Sequence, residues 1–242
     1  MRPLAIFGGT FDPVHIGHLR AAWEAAEALD ADVRLVPAKT PPHRPQPIAS
    51  PAERAALLRE ALAGQDRLKL DLREIDRPGP SYTFDTLASL RAQYGHDRPL
   101  VLLIGADAFV GLTAWYRWRE LFDLAHACVL TRPAQIPAMP DALAAEVAAR
   151  RADGVAELRA AAAGRVLHMV VSALGISATR IRSLLAEGRE PRWLVPGALL
   201  DDPALLEPYR RAGTAGTGNG EQGLGPPSGS PVPGPRSPIP RG

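Results

Sequence analysis

Short apolar runs separated by longer amphipathic stretches set the pattern of this chain. Residues 4–7 (LAIF), 33–37, 68–75, 100–104, 127–130 and 165–170 read as strands, and most intervals between them carry apolar residues at helical spacing. The clearest helices are 21–29, within a helically patterned stretch from Ile16 to Leu29, then 51–63 and 84–94. At the head of the second, Ser50, Pro51 and Glu53 supply an N-cap, a first-turn proline and the acid of a capping box. Strands that alternate with helices predict a parallel, doubly wound α/β sheet, in which ligands bind beyond the carboxyl ends of the strands.

Two stretches depart from this pattern. Between 134 and 164, 13 of 31 residues are alanine with no compact apolar stripe, which predicts helix packed over one edge of the sheet, an insertion with no part in catalysis. From 212 to 242, 16 of 31 residues are Gly or Pro and only five are Ala, Val, Ile or Leu, too few to offset ordering entropy. The expectation is one domain over 1–211 and a disordered tail over 212–242.

Composition narrows the partners. With 46% hydrophobic residues the chain can bury one sizeable core, and 28 basic against 26 acidic residues leave a formal charge of only +2. That balance gives no strong field for nucleic acid or an anionic membrane and suits small phosphorylated substrates. The single cysteine, Cys128, lies in an apolar run, which rules out an intrachain disulfide and a cysteine metal site and fits a reducing, cytoplasmic setting. No long apolar run precedes the first loop, so neither a signal peptide nor a membrane anchor is expected.

The chemistry concentrates where the first strand ends. LAIF runs directly into Gly8, Gly9, Thr10, Phe11, Asp12, Pro13, Val14, His15, Ile16, Gly17 and His18. Gly8 and Gly9 let a phosphate or sugar approach main chain, and the amides at a helix start form an anion site. His15 falls just before the helix and His18 in its first turn, so both imidazoles can face one ligand and stabilise charge on a transferring phosphoryl group. A tight connection with two capping histidines is the plainer reading, but glycines, turn and His-x-Gly-His spacing occur together within eleven residues.

A second segment, Gly175 to Leu185, places Ile176, Ser177 and Thr179 ahead of an amphipathic helix and Arg182 one turn further on. Ser177 or Thr179 alone is an ordinary N-cap. Arg182 adds a planar guanidinium that can meet the same anion as the hydroxyls and helix-start amides. Lys39, His43 and Arg44 lie in a proline-stiffened loop after the second strand, on the edge that carries the histidine loop, and are candidate phosphate contacts. Thr83 opens a helix whose amides can bind a carboxylate or can simply be capped. Asp107, at the tip of a buried strand, suits ribose hydroxyls or an N-cap, and the spacing does not separate the two. Trp115 and Tyr116 follow in a loop, where the indole can be core or can lie against a flat ring.

GGTFDPVHIGH resembles the signature of the nucleotidyltransferase superfamily, whose members carry His-x-Gly-His after the first strand of a Rossmann-like sheet. GISATRIRSLL is similar to its second signature, Ile-Ser-x-Thr-x-Ile-Arg, which holds the ATP phosphates. KTPPHRP, PSYTFDT, IGAD, the Trp-Tyr pair and LVP stand in the order of one branch, bacterial nicotinate-nucleotide adenylyltransferase, and the likeness runs from about Pro3 to Tyr209. The resemblance implies a mainly parallel, three-layer α/β/α fold and transfer of the adenylyl group of ATP, carried with Mg²⁺, to nicotinate mononucleotide by in-line displacement without a covalent intermediate. It implies catalytic roles for His15, His18 and Arg182. It further implies an ATP site made with Gly8, Gly9, Thr10, Phe11, Asp107, Ile176, Ser177 and Thr179. The nicotinate mononucleotide site would use Lys39, His43, Arg44, Thr83, Asp107, Trp115, Tyr116 and Arg132, with the tryptophan stacked on the pyridine ring and the amides of Thr83 and Tyr116 on its carboxylate. No protein metal cage is expected, because no carboxylates cluster.

Two rivals remain. A sibling enzyme acting on phosphopantetheine, or a cytidylyltransferase, shares the histidines but usually lacks the Ser-Tyr-Thr and Trp-Tyr elements. A nucleotide-binding regulator without catalysis would be expected to have lost a histidine or Arg182, all of which are present. A class I aminoacyl-tRNA synthetase is excluded by the missing length, the missing Lys-Met-Ser-Lys-Ser loop and the lack of a basic RNA surface. Oligomeric state is not legible in the sequence.

Overall fold

The computed structural model describes residues 1–41, 45–131 and 138–216. In chain order the first half contains β1 (Leu4–Gly9), α1 (Ile16–Leu29), β2 (Asp32–Pro37), α2 (Pro51–Ala61), β3 (Leu68–Leu70), α3 (Arg73–Asp76), α4 (Thr83–Tyr94), β4 (Leu100–Gly105) and α5 (Ala106–Val110). The second half contains α6 (Leu121–Leu124), β5 (His126–Thr131), α7 (Asp141–Arg150), α8 (Val155–Ala160), β6 (Val166–Val170), α9 (Ala178–Ala186), α10 (Ala198–Asp201) and α11 (Glu207–Gly216).

The strands form one parallel sheet in the order β3-β2-β1-β4-β5-β6. The order reverses between β1 and β4, which makes their carboxyl ends the switch point where such sheets bind ligands. Strand residues divide by alternation between two cores, because parallel strands are covered on both faces. Ala5, Val33, Leu35, Val101, Leu103, Cys128 and Leu130 face one core, with α1, α2, α9 and α11 over it. Leu4, Ile6, Leu100, Ile104, Ala127 and Val129 face the other, under α4, α5, α6 and α7. This is the three-layer, Rossmann-like α/β/α arrangement that the sequence predicts.

Several predicted boundaries shift, each for a local reason. The run 68–75 is a strand only over Leu68–Leu70. Asp71 Oδ1 accepts the Arg73 amide at 3.1 Å, and its carboxylate pairs with the Arg73 guanidinium at 2.8 Å, which turns the chain into the short helix α3. The Ser50–Glu53 capping box forms as expected and starts α2. The alanine-rich stretch forms α7 and α8 and serves as the crossover from β5 to β6, with Leu143 and Leu158 fully buried. Helix α11 continues through Gly216, and residues 217–242, most of the expected disordered tail, lie outside the described residues. No helix among the described residues is long and apolar enough to cross a membrane.

At the amino ends of the strands, opposite the switch point, two polar residues close the fold. Arg91 reaches from α4 to five main-chain carbonyls, those of Leu124, Gly95, His96, Arg98 and Ala162. His126 is fully buried; its Nδ1 accepts the Arg165 amide at 3.0 Å, so the proton sits on Nε2 and donates to the Ala161 carbonyl at 2.9 Å. Burial holds the imidazole below its ordinary pKa, and a second proton would cost the Nδ1 bond. The folded state therefore binds fewer protons than the unfolded chain, so this contribution to stability is present above about pH 6.5 and is lost as pH falls below it. His126→Gln is expected to lower stability by about 1–3 kcal/mol at pH 7.5. Denaturant titrations at pH 7.5 and 5.5 should then show a smaller acid-induced loss in the variant than in the parent; an unchanged loss would show that His126 does not titrate with unfolding.

Candidate active site

The end of β1 is shaped by aromatic packing on glycine. A Cβ at Gly9 would come within 2.9 Å of the Phe11 ring, whereas one at Gly8 would meet open space. Phe11 takes a left-handed φ of 51° and packs edge-on against Phe7 and against His18, at ring-centroid distances of 5.9 and 5.1 Å. Gly9 thus makes room for the aromatic floor under the histidines, and Gly8 leaves the strand end open to a ligand.

His15 and His18 cap their own helix. His15 is the N-cap of α1, its Nδ1 accepting the His18 amide at 3.3 Å, while His18 Nδ1 accepts the His15 amide at 3.3 Å. This is a capping box built from two imidazoles. The rings stack at 3.6 Å between centroids, 18° from parallel. With both Nδ1 atoms accepting, the neutral rings carry their protons on Nε2, the atom on the ring edge turned away from the helix start. His15 is 6% exposed, and burial pushes its pKa down to about 4, so it is neutral at physiological pH. The glycine of His-x-Gly-His has a packing reason: a Cβ on Gly17 would lie 3.1 Å from His15 Nδ1 and 3.7 Å from Ile176 Cβ.

The second motif is brought to the same place. Ser177 caps α9 by accepting the Arg180 amide at 3.3 Å, and Thr179 Oγ1 accepts from Arg182 at 3.3 Å. The other terminal nitrogen of Arg182 donates to the main-chain oxygen of Asp12 at 2.7 Å, which joins α9 to the histidine loop. The β6–α9 connection is pinned to α1 by Glu24, which accepts from the Ser172 amide at 2.7 Å and its hydroxyl at 2.5 Å.

The remaining candidates line the neighbouring loops. Ala38 donates to the Gly9 carbonyl at 2.9 Å, and the Lys39 amide donates to Ser81 Oγ at 2.9 Å, linking the ends of β1 and β2 to the approach of α4. The Lys39 ammonium itself donates to the Arg77 carbonyl at 3.2 Å. Thr83 is the first residue of α4, a helix start with no side-chain cap, and the preceding Tyr82 packs on Tyr116 at 4.8 Å. Tyr116 is half exposed, Trp115 is partly buried against the second core, and the Arg117 guanidinium lies 3.6 Å over the Phe84 ring. Asp107 is exposed in the first turn of α5 at the tip of β4; the N-cap of that helix is Gly105, so the carboxylate is not a cap. His43, Arg44 and Arg132 lie outside the described residues. No cluster of three or more His, Cys, Asp or Glu among the described residues is placed to hold a metal ion.

Three residues at the site escaped the sequence reading. Asp12 was legible only as part of a turn, yet it is 7% exposed and its carboxylate accepts from the Ile48 amide, the Ala49 amide and the Tyr209 hydroxyl at 2.9, 3.1 and 2.9 Å. Arg54 is fully buried and donates to the carbonyls of Ala49, Thr10 and Lys39, which ties both ligand-side loops to α2. Its position four residues before Leu58, within the apolar stripe of its helix, was an available signal. Tyr209 had none, because its partner is 197 residues away.

A family model, Cytidylyltransferase-like, matches residues 6–184. The chain is 50% identical over 200 residues to the probable nicotinate-nucleotide adenylyltransferase of Halorhodospira halophila, covering 82% of this chain and 91% of that protein. It is 46% identical over 211 residues to the protein of the same name from Pseudomonas putida, covering 87% and 96%. Among solved structures, the Plasmodium falciparum nicotinic acid mononucleotide adenylyltransferase complexed with NaAD superposes with a TM-score of 0.61 over 88% of this chain and 96% of that one, at 11% identity, a likeness of fold. With a family model matched over most of its length and half-identical relatives covered almost end to end, the chain belongs to the cytidylyltransferase-like family and, within it, to the nicotinate-nucleotide adenylyltransferases.

Proposed function

We propose that this chain transfers the adenylyl group of ATP to the 5′-phosphate of nicotinate mononucleotide, releasing pyrophosphate and forming nicotinate adenine dinucleotide, a step of NAD biosynthesis in the cytoplasm. The observation that carries the reading is the bond from Arg182 to the Asp12 carbonyl, which joins the Ile-Ser-x-Thr-x-Ile-Arg helix to the His-x-Gly-His loop at the sheet's switch point. The names of the curated relatives agree with it.

The attacking group is a phosphate oxygen, already anionic at neutral pH, so no base is needed to free it. It attacks the α-phosphorus of ATP in line, the bond to the bridging oxygen breaks, and pyrophosphate leaves with the electron pair. What the protein must supply is alignment and countercharge. Neutral His15, with its proton on Nε2, suits hydrogen-bond donation to the α-phosphoryl oxygens better than acid–base work, and His18 presents the same tautomer. Arg182 takes the leaving phosphates beside Ser177, Thr179 and Ile176, while Gly8, Gly9, Thr10 and Phe11 admit the nucleotide to the strand end. Magnesium enters as part of the MgATP substrate, which suits a cation that keeps much of its water shell.

On the acceptor side, Trp115 offers its face to the pyridine ring, the amides of Thr83 and Tyr116 take the carboxylate, and Asp107 receives ribose hydroxyls. Lys39, His43, Arg44 and Arg132 are the proposed basic contacts of the mononucleotide. For Lys39 this requires exchanging the Arg77 carbonyl for phosphate.

Pyrophosphate release should be fastest with nicotinate mononucleotide; preference for nicotinamide mononucleotide or phosphopantetheine would overturn the assignment, and ATP binding without turnover would mark a regulator. His18→Ala should lower kcat by about 100-fold or more while the Kd for ATP changes little, because the contact strengthens in the transition state. Unchanged turnover would remove His18 from the mechanism. Trp115→Ala should raise KM for the mononucleotide by about tenfold with KM for ATP unaltered, as expected for loss of one stacking contact. Equal changes in both constants would place the indole in the core only.

A further inference from the structure

We propose that Asp12, fixed by the Tyr209 hydroxyl, is a positioning residue for Arg182, so that helix α11, far along the chain, sets the geometry of adenylyl transfer. The inference rests on the reading above, in which Arg182 meets the phosphates of ATP. Asp12 holds Arg182 in two ways: its main-chain oxygen accepts from the guanidinium at 2.7 Å, and its carboxylate lies 3.9 Å from the same nitrogen. The Asp12 carboxylate is in turn fixed by two amides from the approach to α2 and by Tyr209.

The third donor distinguishes this arrangement from simple satisfaction of a buried acid, which the two amides already provide in part. It comes from α11, which packs on α9, the helix that carries Arg182. One helix therefore touches both members of the Asp12–Arg182 contact, α9 by packing and Asp12 by a hydrogen bond. Tyr209 is 1% exposed, and burial together with the Asp12 charge raises the pKa of its hydroxyl, so it remains a donor throughout the assay range. Behind the acid, Arg54 donates to the carbonyl of Ala49, whose amide Asp12 accepts, and to that of Thr10. Loss of the Tyr209 hydroxyl would loosen Asp12 relative to Arg182 while removing no group that meets substrate.

The test is a double-mutant cycle in the full chain, read as kcat and as KM for each substrate, with folding checked by thermal unfolding. Tyr209→Phe should lower kcat/KM for ATP by about tenfold, leave KM for nicotinate mononucleotide unchanged, and have less than about a twofold further effect in an Arg182→Ala background. Asp12→Asn should show the same dependence on Arg182. Full activity in Tyr209→Phe with a lowered melting temperature, or an equal loss in both backgrounds, would overturn the proposal. So would failure of both variants to fold, which would make the network scaffold alone. A parent enzyme that does not turn over nicotinate mononucleotide would instead overturn the reading on which the inference rests.

Discussion

Two imidazoles capping one helix form the constraint on which the rest of this site depends. A helix start leaves amides without intrahelical partners, and ordinary caps satisfy them with oxygen acceptors. Here the acceptors are the Nδ1 atoms of His15 and His18, each taking the other residue's amide. The same two bonds that begin α1 therefore choose the tautomer of both rings. Gly17 follows from this, since a Cβ there would crowd His15, and so does Gly9, which clears space for the Phe11 ring that supports His18.

Around that centre the protein spends charged groups on alignment more than on direct contact. Arg54 is fully buried and uses its guanidinium on three carbonyls, and Asp12 is committed to two amides and a tyrosine. Buried charges are tolerable when every hydrogen-bonding direction is used, and the return is a fixed geometry for loops that would otherwise move. The partly exposed groups of the site, among them His18, Asp107 and Arg182, sit at the rim of that rigid base.

The sheet was legible because parallel strands buried on both faces leave continuous apolar runs, and the two phosphate motifs because glycine, histidine and arginine types recur at chemically meaningful spacing. What stayed hidden was long-range partnership. Leu68 to Ile75 alternates as a strand would, and only the local Asp71–Arg73 pairing turns its second half into helix. Helix α11 runs on to Gly216, past the position where Gly and Pro begin to dominate the composition. Lys39 was read as a candidate phosphate contact from its place after the second strand, and nothing local showed that its ammonium donates to the Arg77 carbonyl. Asp12 and Tyr209 could not be paired from residue type alone, because nothing local marks a contact that spans 197 positions.

That contact has a consequence in time as well as in space. Asp12 belongs to the first strand–helix connection and Tyr209 to the last described helix, so the loop that closes between them encloses nearly all of the described fold. Contacts of such sequence separation pay their closure entropy late, after the sheet has collapsed. The closure of this one is set by the assembled fold, which brings the two segments together in one core, and by nothing local to either.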